Sequence, residues 1–269
     1  GKVDRFNGLN ESGTSLFVVR DDYGRVHTNI TQLKREIRES ALLCDDGPVA
    51  SVDIKSSQGA FLCHIVDAVL GGNPATLGRN RSSFITVDNV VAEMCRNAKL
   101  HSEFADFRGK LEHRELYEFF AKEMSEDCDL DMEVDRDSAK KAFLVTLFSG
   151  PILPENADPR TVACRRVWGE HYPMLLSLLD RMKSRNYKAL AYELQRMESA
   201  FVFDVVVPAI KAEIGCPYCT VHDEIIVPAQ YGGEVKAIID RELGLFGIPT
   251  TTVEEQAILE PDDTMVGAE

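Results

Sequence analysis

Two aspartates stand where short apolar segments end, and both carry the type of side chain that binds Mg²⁺. Asp53 closes the segment PVASVD, and Asp223 lies in TVHDEIIV between two apolar runs. Taken singly, Asp53 is equally typical of a helix N-cap, and Asp223 of a hairpin turn. Together, a carboxylate at a strand end and one at a hairpin tip could bridge two Mg²⁺ ions about 3.5–4 Å apart, as phosphoryl transfer requires.

The segment DRDSAKKAFLVTLFSG could bind a nucleoside triphosphate. Helical spacing places Lys141, Val145 and Phe148 on one face. Such a face offers a cation for the phosphates and an apolar surface for the base and sugar. Arg136 and Lys140 would add positive charge about one turn earlier. The alternative is an ordinary amphipathic helix, with its apolar stripe in the core and its lysines in solvent.

Two further segments carry groups that could contact nucleic acid. DDYGR predicts a hairpin turn with Gly24 at a positive φ, and Arg25 could reach a phosphate backbone. LQRMES places Gln195 among polar residues of an otherwise apolar helix. The alternative for Gln195 and its polar neighbours is that they are exposed helix positions without such a role.

The elements that must position these groups follow an α+β pattern, with a few short strands and long helices between them. The first strands form a hairpin from residue 15 to about residue 29, and a short strand covers 48–54. A second hairpin turns at His222 and Asp223, and a last strand lies near Thr250. Helices are predicted at 31–43, 58–70, 88–100, 112–124, 135–148, 159–185, 187–214 with a kink at Pro208, and 233–243.

Composition constrains the setting of the chain. Its 269 residues have a net charge of -14, which disfavours nucleic-acid binding unless basic residues cluster or a partner supplies positive charge. Seven scattered cysteines, an odd number, indicate reduced thiols and a cytoplasmic protein, in the host cytoplasm if a phage encodes it. No apolar segment approaches the roughly 20 residues of a spanning helix, so no membrane partner is expected.

The order of these motifs resembles the superfamily that unites family A DNA polymerases with single-subunit phage and mitochondrial RNA polymerases. Asp53 matches motif A, the helix from Lys141 to Gly150 matches motif B, and His222 with Asp223 matches motif C. The resemblance implies a right-hand fold. A palm with a small antiparallel sheet would comprise 1–70 and 186–269, helical fingers would comprise 71–185, and the thumb would be absent or supplied by another chain.

The resemblance also implies two-metal nucleotidyl transfer. Asp53 and Asp223 would hold two Mg²⁺ ions, and Lys141 would stabilise the triphosphate. The family's arginine precedes its lysine by four residues. In this chain Arg136 has that spacing to Lys140, whereas Asp137 has it to Lys141, so either lysine could contact the triphosphate.

Ribonucleotides are the first choice of substrate, which makes a DNA template, ribonucleoside triphosphates and nascent RNA the expected partners. DDYGR and VTLFSG resemble the RNA-polymerase forms of their motifs. Against this, Ser149 replaces the family's sugar-sensing tyrosine and Gln58 fits neither branch. The triplet at 222–224 (HDE) has the DNA-polymerase form. A family A-like DNA polymerase or primase of a phage or mobile element is therefore the alternative.

Two other classes are also considered. A metal-dependent nuclease could use the same carboxylates, but it would have no triphosphate for the Lys141 helix to hold. A non-catalytic accessory subunit that binds nucleic acid would not need both Asp53 and Asp223. Because the chain is small and acidic, a second polypeptide is expected to supply missing domains. In this respect the chain resembles the active-site subunit of the heterodimeric RNA polymerases of some lytic phages.

Overall fold

A computed structural model describes residues 18–21, 25–34, 37–38, 47–72, 85, 87–127, 130, 132–249 and 254–257. The chain divides into two compact units. The sheet unit comprises 1–55, 198–242 and 252–269, and the helical unit comprises 56–197 and 243–251. The division into palm and fingers at residues 70 and 185 stays a prediction. The α+β class agrees with the structure, which is mostly helical with a small antiparallel sheet.

The sheet unit contains a hairpin and a four-stranded sheet. Strands β1 (Val18–Arg20) and β2 (Val26–Thr28) pair antiparallel, which confirms the first predicted hairpin. The larger sheet has the order β4-β5-β3-β6, and every neighbouring pair in it is antiparallel. Its strands are β3 (Val49–Asp53), β4 (Cys219–Val221), β5 (Glu224–Pro228) and β6 (Glu254–Ala257).

Strand β3 lies in the interior of this sheet, and four of its five residues are buried. Val49, Ala50 and Val52 are almost fully buried, although successive side chains of a strand point to opposite faces. A strand buried on both faces needs hydrogen-bonded neighbours on both edges, and β5 and β6 supply them. Val49 packs with Val221 and Ile226 of the two hairpin strands. The polar residue Asp53 is the last of the strand, where burial ends.

The helical unit begins directly after β3. Its helices are α1 (Ser57–Leu70), α2 (Asn89–Met94), α3 (Ala98–Glu112), α4 (Leu116–Ser125), α5 (Arg136–Phe148), α6 (Pro159–His171) and α7 (Pro173–Met182). Aromatic side chains from α3, α4, α5 and α6 form its centre. The ring centre of Trp168 lies 5.3 Å from that of Phe107, 5.5 Å from that of Phe120 and 5.4 Å from that of Phe143. These contacts bury large apolar surfaces and position α5 against α6.

Two predicted helices are each divided in the structure. The helix predicted for 88–100 ends at Met94, and α3 begins after Asn97, whose Oδ1 accepts the N–H of Lys99 as an N-cap. The helix predicted for 159–185 breaks before Pro173, which has no N–H to continue it. The buried carboxylate of Glu103 then accepts the first free N–H groups of α7.

The long predicted helix 187–214 is present as a continuous helical run with a local change of pitch. It comprises α8 (Ala189–Ala200), a π-helical turn at Phe201–Val206 and α9 (Val207–Glu213). Pro208 cannot donate to the carbonyl four residues earlier and crowds it. The wider π-helical turn directly before Pro208 is one of the known ways in which a helix accommodates such a residue.

The remaining predicted elements agree in part. The last helix is α10 (Gly232–Leu245), preceded by a 3₁₀ turn at Ala229–Tyr231. In the region predicted as a helix at 31–43, a 3₁₀ turn occupies Ile30–Gln32, and residues 35–36 and 39–46 lie outside the described ones. Thr250 also lies outside them, and β6 follows it. Within the described part of the chain, no helix has the length and apolar character needed to cross a bilayer.

Candidate functional site

Asp53 and Asp223 lie at the same end of the four-stranded sheet. Asp53 is the last residue of β3, and Asp223 belongs to the two-residue turn between β4 and β5. Because β3 and β5 are neighbours, Asp53 lies directly opposite Glu224. The N–H of Ile54 donates to the carbonyl oxygen of Asp223 over 3.4 Å. Two aspartates far apart in the sequence are therefore neighbours at one end of the sheet.

His222, the other residue of the turn that carries Asp223, has a strained backbone conformation. His222 has a φ of 60°, which is unfavourable for a residue with a side chain. Within the described part of the chain, its buried Nδ1 has no hydrogen-bond partner. Burial, and then the positive charges of Arg25, His27 and Arg38, lower the pKa of His222. The imidazole is therefore held neutral more strongly than in solution.

The carboxylate of Asp53 already has a cationic neighbour. Lys55 lies two residues further on, and its Nζ is 3.0 Å from Asp53 Oδ2. Both side chains are partly exposed, at 26% and 31%. The position therefore accommodates a positive charge against Asp53. The sequence analysis did not identify Lys55, although the motif DIK at a strand end was the available signal.

Glu224, which lies opposite Asp53, is bound by two other residues. Arg38 donates to Glu224 Oε2 over 2.9 Å and to the carbonyl oxygen of Leu33 over 2.9 Å. Ser51, two residues before Asp53 on the same face of β3, donates to Glu224 Oε1. The sequence analysis missed Arg38 because it lies in a segment predicted as an amphipathic helix, where one arginine has no distinguishing pattern.

The metal-binding role of Asp53 and Asp223 stays a prediction, and the structure shows only that the two residues are neighbours. Within the described residues, no group of three or more His, Cys, Asp or Glu is arranged to hold one. Mg²⁺ is nevertheless commonly held by one or two carboxylates, with substrate phosphates and water completing its coordination. The carboxylates of Asp53 and Asp223 therefore fit a metal shared with a phosphate substrate, and they do not form an all-protein cage.

Asp21 and Arg25, the first and last residues of DDYGR, are hydrogen-bonded to each other beside the β1–β2 hairpin. The N–H of Arg25 donates to Asp21 Oδ1 and the N–H of Asp21 donates to the carbonyl oxygen of Arg25, both over 2.9 Å. The guanidinium of Arg25 lies 3.6 Å from the buried carboxylate of Glu198. The segment thus has a structural role in the hairpin, and Arg25 faces a carboxylate of its own unit. Gly24 lies outside the described residues.

Helix α5 places Lys141, Val145 and Ser149 together in one cleft of about 400 Å³. Asp135 starts this helix by accepting the N–H of Ser138 over 2.6 Å. The opposite face of α5 is buried against the aromatic centre, so Lys141 and Val145 are exposed. The other lining residues come from α5, from the loop after it and from the start of α6: Ser138, Ala142, Leu153, Pro154, Ala157, Asp158, Arg160 and Thr161.

The other predicted members of this face lie elsewhere. Arg136 donates to Glu118 over 2.6 Å, and its guanidinium lies 5.4 Å from the ring centre of Tyr117. Lys140 Nζ lies 5.9 Å from the same ring. Phe148 is half-buried and is not part of the cleft lining. Of the two adjacent lysines, only Lys141 lines the cleft.

A buried lysine holds the C-terminal end of α5. Lys183 Nζ donates to the carbonyl oxygens of Thr146 and Ser149, over 3.2 and 3.1 Å, and lies 3.6 Å from Asp180. Only 2% of Lys183 is exposed, and this burial lowers its pKa. Arg165 of α6 binds Asp180 over 2.5 Å. The sequence analysis missed Lys183, since nothing near it in the sequence indicates its partners.

Two predicted binding glutamines are half-buried. Gln58 lies in the first turn of α1, and Gln195 lies on α8. The polar neighbours of Gln195 are buried: Arg196 pairs with Glu193. The alternative that the polar residues of LQRMES are exposed helix positions is therefore wrong for Arg196 and Glu198, which are both buried.

A larger depression of about 520 Å³ lies beside α2 in the helical unit. Its one lining arginine, Arg96, is bound to Glu93 over 2.7 Å. No lining residue there carries an unpaired positive charge. The depression is therefore less suited to an anionic ligand than the Lys141 cleft.

Comparisons with known proteins found similarity to solved structures. No protein-family model matches the chain, and no curated protein matches it. Among solved structures, it is similar to the POL domain of Pol1 from M. smegmatis in complex with DNA primer-template and dNTP, with 13% sequence identity and a TM-score of 0.41. The match covers 95% of this chain and 49% of the chain in that structure. This chain therefore spans about half the length of that one. A likeness this weak assigns no function.

Proposed function

We propose that this chain is the catalytic part of a template-directed nucleotidyltransferase. The observation that carries the proposal is the adjacency of Asp53 and Asp223 at one end of an antiparallel sheet. Neither residue needs to be a carboxylate for the sheet to form. Two aspartates brought together at one end of a sheet supply the type of oxygen ligand that a phosphoryl-transfer metal uses.

Each unit has a role in this proposal. Asp53 and Asp223 of the sheet unit would hold Mg²⁺, in the two-ion arrangement that the sequence motifs suggest. When bound, the metal would activate the attacking hydroxyl and neutralise charge on the departing pyrophosphate. Lys141 of the helical unit would bind the triphosphate, while Val145 would present an apolar surface to the base or sugar. Arg136 donates a hydrogen bond to Glu118, and Lys140 lies over the ring of Tyr117. These contacts favour Lys141 for this role.

Ribonucleotides remain the first choice of substrate, on the resemblance of DDYGR and VTLFSG to RNA-polymerase motifs. The partners would then be a DNA template, ribonucleoside triphosphates and nascent RNA, with a second polypeptide supplying missing domains. A DNA polymerase or primase is the second candidate. The hydrogen bonds between Asp21 and Arg25 favour this second candidate. They give these residues a structural reason to be present, so the resemblance of DDYGR to an RNA-polymerase motif carries less weight.

Primer extension on a single-stranded DNA template with Mg²⁺ tests the proposal. Ribonucleotides and deoxyribonucleotides are compared for the wild-type chain, for Asp223→Asn and for Asp240→Asn. Asp240 is a matched control, because it pairs with Lys236 on the surface of α10. We expect extension that Asp223→Asn reduces at least about 100-fold, since even indirect metal-site partners cost 10–100-fold. Asp240→Asn should have no effect.

The preferred nucleotide distinguishes the two candidates. Preference for ribonucleotides supports the RNA polymerase, whereas preference for deoxyribonucleotides supports the DNA polymerase. Mn²⁺ binding, measured by electron paramagnetic resonance on the same variants, gives a readout that needs no second chain. Absence of both extension and Asp223-dependent Mn²⁺ binding would contradict the proposal.

A further inference from the structure

The Lys141 cleft contains a second cation that the sequence motifs do not include. Arg160 is the second residue of α6 and lines the cleft with Lys141, which comes from α5. Within the described part of the chain, no ion pair or donated hydrogen bond joins either side chain to a protein acceptor, although Lys141 interacts electrostatically with the carboxylate of Asp135. Most other described arginines of the helical unit form ion pairs, as Arg165, Arg166 and Arg181 illustrate.

The chemistry of the cleft suits a ligand with both phosphates and an apolar part. Its volume of about 400 Å³ is within the usual range for a small-molecule site, about 300–1,000 Å³. Val145, Leu153 and Pro154 supply apolar surface. A triphosphate carries several negative charges, which one lysine only partly balances. A guanidinium adds two parallel N–H donors that match phosphate oxygens.

One lining residue opposes an anion. Asp158 lies in the same cleft, and its Oδ1 accepts the N–H of Arg160 over 2.8 Å as the N-cap of α6. Because that bond is to the backbone, it leaves the guanidinium of Arg160 unengaged. The carboxylate lowers the positive potential of the cleft, and removing its charge should therefore strengthen anion binding.

We propose that Arg160 acts with Lys141 as a second phosphate-binding residue of this cleft, which takes the triphosphate of a nucleotide. The identity of the ligand as a nucleotide rests on the proposed function. The pairing of the two cations rests on the cleft itself. Arg160 would hold the phosphates from α6, and Lys141 would hold them from α5.

Binding without catalysis tests this inference. Isothermal titration calorimetry of ATP, tripolyphosphate and adenosine is carried out at low ionic strength without divalent cations, so that the result does not depend on Asp53 or Asp223. We expect ATP and tripolyphosphate to bind. Arg160→Gln and Lys141→Gln should each weaken binding about tenfold or more, the usual effect of losing a charge-assisted hydrogen bond. Arg160→Lys should lie between Arg160→Gln and wild type.

Two control variants separate a site from a general charge effect. Arg166→Gln removes a cation of the same helix that pairs with Asp127 and does not line the cleft, and it should leave binding within about twofold of wild type. Asp158→Asn keeps the N-cap, because asparagine caps about as well as aspartate, and it should tighten binding. Thermal unfolding of each variant shows whether it remains folded.

Several results would overturn the inference: no binding of ATP or tripolyphosphate by the wild-type chain at millimolar concentration, unchanged binding by Arg160→Gln, or an equal loss in Arg166→Gln. Its failure is distinguishable from failure of the proposed function. Arg160-dependent ATP binding without primer extension would leave the site valid and the polymerase proposal wrong. Primer extension with an unchanged nucleotide KM in Arg160→Gln would support the polymerase proposal and show that the inference about Arg160 is wrong.

Discussion

Asp53 lies directly opposite Glu224 in the antiparallel pair of β3 and β5, yet the two carboxylates have different partners. Asp53 is bound by Lys55, whereas Glu224 is bound by Arg38 and Ser51. Side chains that face each other across strands lie on the same side of a sheet, and two unneutralised carboxylates there would repel each other. The two sets of partners therefore reduce the repulsion between these carboxylates, because each faces its own cation.

Lys55 should compete with a metal ion for Asp53. We expect Lys55→Gln to bind Mn²⁺ about fivefold more tightly, since a unit charge at 4 Å is worth about 1 kcal/mol in water. Lys236→Gln, at a half-buried lysine paired with Asp240, is the matched control and should bind Mn²⁺ as wild type does. Electron paramagnetic resonance titration of Mn²⁺ measures both. Equal affinities of Lys55→Gln and wild type would show that Lys55 does not compete with the metal ion for Asp53.

Arg38 and Glu224 should be strongly coupled in stability. Arg38 is 8% exposed, so its loss would leave a poorly solvated carboxylate at Glu224 with only Ser51. We expect Arg38→Met to lower the free energy of unfolding by about 3 kcal/mol. In the Glu224→Gln background the same change should cost much less. Urea unfolding of the four proteins of this double-mutant cycle gives the coupling energy, and a value near zero would contradict the ion pair.

The contribution of Lys183 should depend on pH in a defined direction. Burial lowers its pKa in the folded chain below the ordinary value of 10.5. Between the folded and ordinary pKa values, the unfolded chain holds a proton that the folded chain has released, so stability rises with pH in this window. The free energy of unfolding of wild type minus that of Lys183→Met should therefore become more positive as the pH approaches 10.5. A difference that stays constant across alkaline pH would contradict the buried position of the amine.

Two helix glycines should respond in opposite ways to alanine. A Cβ at Gly59 of α1 would lie 2.9 Å from Leu111 Cδ1, whereas a Cβ at Gly109 of α3 would have no atom within 4 Å. We expect Gly59→Ala to destabilise the chain by about 1–3 kcal/mol through overpacking. Gly109→Ala should stabilise it by about 0.5–1 kcal/mol, as is usual in a helix interior. Thermal and urea unfolding measure both changes.

A second comparison tests the cause at Gly59. In the Leu111→Ala background, the space that a new methyl group needs is open, so Gly59→Ala should no longer be destabilising. If it costs as much there as in wild type, the close approach of α1 to Leu111 is not the reason that glycine occupies this position.

The sequence by itself determined the elements whose signals are local. The strand that ends at Asp53 and the hairpin at His222 and Asp223 follow from short apolar runs with a polar end, and both agree with the structure. The helix predicted at 135–148 also agrees with the bounds of α5. The α8–α9 run was also predicted, apart from its π-helical turn, because Pro208 indicates a disturbance without its form.

Only the tertiary structure decided which of these residues meet. The register of β3 against β5 places Asp53 beside Asp223, and periodicity along either strand cannot provide that pairing. Arg38, Arg160 and Lys183 each acquire their surroundings from distant segments, so no local pattern marked them. A side chain becomes a ligand, a clamp or a cap through the groups it faces, and these depend on packing between elements. Local sequence sets an element's type, whereas long-range contacts set its neighbours.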